Sequence, residues 1–212
     1  MEAAGENELG SMLMHRALGR DLESLVVAVI DDKAPILALM RAMLAAIGVG
    51  RIQTFDSPTE ALAAMPRDVP DVVIAASVML PLTGYALVKT MRRAGGEPLC
   101  FVPALIMSAH ARPSHVEDAI RAGAHQVLVL PTSANTLYRR LDWLLNDDRP
   151  YELGGEHYVI AGIEQRLSLS RQRPTHVRLR PAGPFGVPLR REESKEAAHA
   201  DAVVARMRAA RG

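Results

Sequence analysis

Between Leu25 and Leu145, short apolar runs alternate with segments whose apolar residues recur at helical spacing. Leu25-Val26-Val27-Ala28-Val29-Ile30, Val72-Val73-Ile74-Ala75, Pro103 to Ala109 and Val127 to Leu130 are apolar almost throughout. Such runs predict strands covered on both faces, as in a parallel sheet whose crossover helices lie on either side. Between them, Ile36, Leu37, Met40, Met43, Leu44 and Ile47 mark the core face of a helix over 34–47, stopped by Gly48. Arg51 to Phe55 reads as the second strand. Ser57-Pro58-Thr59-Glu60 then opens a helix with a capping serine, a proline at the first position and a glutamate at the third. Thr83–Arg93, Ser114–Arg121 and Ser133–Asn146 supply the remaining helices. Five strands alternating with five helices predict an α/β fold, a doubly wound five-stranded parallel sheet.

In such a sheet, ligands sit beyond the carboxyl ends of the strands, so the strand ends carry the candidate chemistry. The first strand ends in Asp31-Asp32 and the fourth in Ser108; the fifth ends in Leu130-Pro131 after an Ala122-Gly123-Ala124 turn. The third ends in Ala75-Ala76-Ser77 and is followed by Met79-Leu80-Pro81-Leu82-Thr83-Gly84. In order and spacing these landmarks resemble the receiver domain of bacterial response regulators, of the chemotaxis-regulator type, over roughly residues 25–145. The resemblance implies the flavodoxin-like (β/α)5 receiver fold.

It also implies where an aspartate nucleophile, an acidic magnesium-binding pair, a hydroxyl and a lysine should stand. Counting back from Gly84, or on from Asp71, places the phosphoacceptor position at Ala76; anchoring on Pro81 places it at Ser77. Neither register supplies a carboxylate, and alanine has no atom that can attack phosphorus. Asp71 cannot substitute, because five strand residues at about 3.3 Å each put it near the opposite end of the sheet. Ser108 fits the hydroxyl, Leu130 stands at the lysine position, and the switch aromatic is the aliphatic Val127. Three such differences read as divergence rather than a single knockout. Asp31, Asp32, Ser77, Ser108 and Leu130 are therefore expected to form a vestigial pocket around Ala76. A magnesium ion weakly held by Asp31 and Asp32 is the one cofactor this pocket admits; the plainer role of the pair is capping the next helix.

Composition changes little. At 212 residues and 49% hydrophobic, the chain can build one substantial core with an appendage, and a net charge of +1 singles out no partner. A lone cysteine, Cys100, excludes an internal disulfide framework. His110, His115 and His125 lack the partners of a zinc site. The first residues lack a secretory pattern, and no apolar run approaches the roughly 20 residues of a membrane span, so a cytoplasmic protein without a membrane partner is expected.

The ends differ from the middle. Residues 1–24 carry leucines partly at helical spacing and read as a leader helix ahead of a receiver-like domain over 25–146. In the extension over 147–191, Tyr151 to Ile160 reads as a hairpin about Gly154-Gly155, which needs a surface to lie on. An irregular Arg/Pro-rich stretch follows, and 192–212 reads as a terminal helix. Arg166, Arg171, Arg173, Arg178 and Arg180 are candidate anion binders. Rings are scarce among them, which makes nucleic acid a poor fit. The sequence thus points to a non-enzymatic, non-phosphorylatable regulator that binds another signalling protein, a histidine kinase or another regulator. The resemblance also implies that partner contacts or homodimerisation use the face built by the fourth helix, fifth strand and fifth helix. The contrasting reading is an anion-binding regulator whose arginine tail takes nucleic acid or a cyclic dinucleotide.

Overall fold

The computed structural model describes residues 13–109 and 112–163. Five strands, β1 (Val26–Ile30), β2 (Arg51–Phe55), β3 (Val72–Ala76), β4 (Ala104–Ser108) and β5 (Gln126–Val129), form one sheet in the order β2-β1-β3-β4-β5. Every pairing is parallel, with Val27 opposite Val72, Val73 opposite Ala104 and Ser108 opposite Val129. Four crossover helices, α1 (Ala34–Ala46), α2 (Pro58–Ala64), α3 (Gly84–Met91) and α4 (Pro113–Arg121), join these strands, and α5 (Ala134–Leu145) follows β5. This is the doubly wound, flavodoxin-like order in which the chain reverses direction between β1 and β3.

The central strands β3 and β4 are buried at every residue, which is why their sequences show no polar alternation. The edge strand β2 keeps Arg51 and Thr54 exposed. Ser57 caps α2 by accepting from the Glu60 N–H, and Thr83 and Ser133 cap α3 and α5 in the same way, from the Ala86 and Thr136 N–H groups. The helix α4 ends at Gly123, whose φ of +91° suits a residue without a side chain.

Two expectations about the ends change. Residues 13–24 form turns and one turn of 3-10 helix at Leu22–Ser24 instead of a leader helix. Their backbone is used by the core: the Arg16 N–H donates to Phe101 O at 3.0 Å and the Gly19 N–H to Leu145 O at 2.8 Å. The hairpin exists as β6 (Tyr151–Gly154) and β7 (His157–Ile160). Its turn residues are Gly155 and Glu156, one position later than expected. Gly155 supplies a φ of +67° at the first turn position, where a β-branched or bulky side chain would be strained. The hairpin lies on the receiver core, which supplies the surface it was expected to need. Residues 1–12, the arginines at 166, 171, 173, 178 and 180, and the terminal helix over 192–212 lie outside the described residues.

Candidate functional site

At the carboxyl ends of the strands the structure brings together the residues expected there. Asp31 and Asp32 follow β1, Ala76 closes β3, Ser77 comes next, Ser108 closes β4, and Leu130 follows β5. Ala76, Ser77, Asp31 and Ser108 are all buried, and Leu130 is half-buried. The Ser77 N–H donates to Met107 O at 2.7 Å and the Leu130 N–H to Ser108 O at 2.9 Å, so the sheet pairing runs up to the lip of the crevice. Gly84 lies so close that a Cβ there would collide with the Ala76 carbonyl and come within 3.2 Å of Ile106 Cδ1. The loop that follows β3 thus folds back tightly over the strand end. Its outer face carries Val78 and Leu80, which are 71% and 80% exposed.

The polar groups of this crevice are few and mostly engaged. Asp31 accepts the Lys33 N–H at 2.9 Å, which fixes the start of α1. Burial raises its carboxyl pKa above the ordinary value, and the Lys33 backbone hydrogen bond only partly opposes this. Asp32 lies further out, with the Lys33 ammonium 2.8 Å from its Oδ1, and that hydrogen bond holds its pKa below the usual carboxylate range. Ser77 sits beside the Tyr85 phenol, whose pKa burial pushes up. Val127, at the switch position, is a half-buried β5 residue opposite Ile106.

Magnesium keeps several waters and is usually bound through one or two carboxylates, so Asp31 and Asp32 are the residues that would hold it here. Of these two carboxylates, Asp32 already faces an ammonium and Asp31 receives a backbone N–H. Among the described residues, no three His, Cys, Asp or Glu side chains gather as a metal ion would require. His115 begins α4 and His125 is buried just before β5, so these two do not share a site; His110 lies outside the described residues.

The opposite end of the sheet is constructed differently, and sequence reasoning missed most of it. Asp71 anchors this end: it accepts the Val26 N–H at 2.9 Å and pairs with Arg16 at 3.1 Å and with Arg20. Arg92, just after α3, is 1% exposed. Its guanidinium donates to the carbonyls of Gly123 at 3.1 Å and of Cys100 and Val102 at 2.8 Å each. The Tyr151 ring covers it, with Cζ 4.9 Å from the ring centroid. Burial pushes the Tyr151 phenol up to about 12 and the Cys100 thiol up to about 11. Phe101 packs on Tyr151 and Tyr158 at centroid separations of 5.6 and 4.8 Å, and His125 stands edge-on between His15 and Tyr151.

Backbone hydrogen bonds fasten the hairpin to this surface. The Tyr158 N–H donates to Arg92 O at 2.7 Å, the Ala94 N–H to Glu156 O at 2.9 Å, and the Tyr151 N–H to Leu13 O at 2.8 Å. Both hairpin edges are therefore partly paired, which an isolated two-stranded ribbon would lack. The faint signal in the sequence was the glycine at 123: a Cβ there would meet Arg92 Cγ at 2.8 Å.

A parallel sheet in the 2-1-3-4-5 order, with an acidic pair after its first strand and a hydroxyl at the end of its fourth, defines a receiver module. The chain belongs to the response regulator receiver domain family, whose model matches residues 27–142. Among its relatives, the chemotaxis protein CheY-3 of Vibrio cholerae is 27% identical over 129 residues, which cover 61% of this chain and 95% of that protein. Of solved structures, the chemotaxis response regulator CheY4 of Vibrio cholerae superposes with a TM-score of 0.52 at 27% identity, covering 57% of this chain and 98% of that one. The receiver domain of the sensor histidine kinase PA1611 of Pseudomonas aeruginosa shares the fold at 20% identity, with a TM-score of 0.53 over 58% of this chain and 98% of its own; that structure holds a magnesium ion in its cleft. The chain therefore contains a receiver domain of two-component signal transduction, a family of signal transducers. Among the described residues no helix is long and apolar enough to cross a membrane.

Proposed function

We propose that this receiver regulates without accepting a phosphoryl group, by binding another signalling protein. The observation that carries the reading is the end of β3, where Ala76 occupies the buried position at the floor of the crevice and offers no nucleophile. Leu130 adds to it, because an apolar side chain cannot neutralise phosphoryl charge as a lysine would. Ser77 has a hydroxyl, but its neighbour is a phenol rather than a base. Asp31 holds the Lys33 N–H and Asp32 faces the Lys33 ammonium, so both carboxylates are engaged within the chain.

Such a module transmits information by the shape of its surface. Its partner is a histidine kinase or another regulator, and the face formed by α4, β5 and α5, where Val129 is 40% exposed, is the surface proposed for that contact or for a homodimer. The reading is tested by capturing partners on the immobilised full chain, with and without acetyl phosphate and with and without nuclease. The same protein partners should be retained under all four conditions. Capture that depends on the phosphodonor would defeat the proposal. Loss on nuclease treatment would instead favour nucleic acid as the ligand of the arginine tail.

A further inference from the structure

A cavity of about 190 Å³ lies where the last turn of α3, the end of α4 and strand β7 meet. Lys89, Arg92, Arg121 and His157 line it beside Gly123 and Tyr158, and no aspartate or glutamate is among its lining residues. The two helix ends that reach it present carbonyl groups, which alone would repel an anion. Here that field is countered from within. Arg92 takes up the Gly123, Cys100 and Val102 carbonyls and remains a buried cation, with no carboxylate paired to it among the described residues. Its Nη2 has no hydrogen-bond partner. A buried charge compensated only by dipoles and a ring is costly, and a nearby anion would relieve it. Lys89 makes no salt bridge among the described residues, and Arg121 reaches only Glu117, at a long 3.5 Å.

We propose that this cavity binds a small phosphate-class oxyanion, which holds the hairpin onto the receiver core by bridging α3 and α4 to β7. Size selects the class. At about 190 Å³ the space has room for a phosphate group with a few waters. It is smaller than the roughly 300 Å³ at which pockets for drug-sized ligands begin, which excludes enclosure of a dinucleotide. Placement supplies the consequence. The Tyr158 N–H bonds to Arg92 O beside the cavity, so an anion there would hold together the two surfaces that this hydrogen bond joins. The inference does not depend on how the crevice at the other end of the sheet works.

The experiment is a titration of the full chain with inorganic phosphate against sodium chloride of matched ionic strength, followed by backbone amide NMR and hydrogen exchange. Saturable shifts are expected at Lys89, Arg121, Gly123, His157 and Tyr158, with slower exchange of the Tyr158 amide. Lys89 and Arg121 are exposed, so K89Q/R121Q should fold normally while weakening phosphate binding roughly tenfold or more, the scale of losing charge-assisted hydrogen bonds. Adenosine 5′-monophosphate producing the same shifts would extend the site to phosphate monoesters; shifts with inorganic phosphate alone would assign it to the free anion. Shifts that never saturate, that chloride reproduces, or that persist at full strength in K89Q/R121Q would overturn the proposal.

Discussion

The two ends of the sheet differ in what they bury. At the carboxyl ends, the crevice floor is Ala76 and its polar groups are a raised carboxyl, Asp31, and two serines. At the amino ends of β4 and β5, the chain buries an arginine, two histidines and a tyrosine, and closes them with the hairpin. The receiver fold stands with either arrangement, because its stability lies in strands that are apolar on both faces rather than in the crevice. The difference teaches that groups at the strand ends are free to change chemistry, whereas a group that carries a docked element is tied to its surroundings by many bonds at once.

If the amino end is structural and the crevice is not, substitutions should separate them sharply. The largest effect is expected from R92M, which keeps the aliphatic stem but leaves three buried carbonyls without donors. A loss of about 4 kcal/mol in denaturant unfolding is expected, since stripping one partner from a buried charged set costs several kcal/mol. A loss below about 1 kcal/mol would mean that water enters to replace the guanidinium. Next comes Y151A, which removes a fully buried ring from the base of the hairpin and should cost about 3 kcal/mol. Hydrogen exchange should then show residues 151–160 unprotected while β1, β3 and β4 stay protected; uniform loss across the sheet would show that hairpin and core unfold as one unit.

The smallest effect has the opposite sign. The folded state raises the Asp31 pKa above its ordinary 3.8, so the favourable contribution of this group is complete below that value and is lost as pH rises through the folded pKa. At pH 7 the ionised carboxylate is a burden, and D31N should stabilise the chain by about 0.5 kcal/mol. Its side-chain oxygen can still accept the Lys33 N–H. The advantage should disappear below about pH 4, as thermal unfolding across pH would show.

How much of this was legible in the sequence follows from the range over which each signal acts. The strands could be read because double-sided burial forces unbroken apolar runs, and the helix starts because caps act over three residues. Asp31, Asp32, Ala76, Ser108 and Leu130 could be placed in one crevice because strand ends in a parallel sheet share a side. The hairpin could be read, but not its docking. Arg92 and Arg93 are neighbours of one type, one buried and one exposed, and only the fold distinguishes them. The partners of Arg92 come from three separate stretches, around Cys100, Gly123 and Tyr151. The leucines of the first stretch suggested a helix, yet from residue 13 onward the backbone turns at Gly19, with a φ of +69°, to bond with Phe101 and Leu145.

The most direct test of the central claim is intact-mass measurement of the full chain after incubation with acetyl phosphate and magnesium, with A76D treated in parallel. The account predicts that the natural chain gains no phosphoryl group, and that A76D gains little, because Leu130 leaves the developing charge unneutralised. Stoichiometric phosphorylation of the natural chain, mapped to the crevice at Ser77 or Ser108, would contradict it.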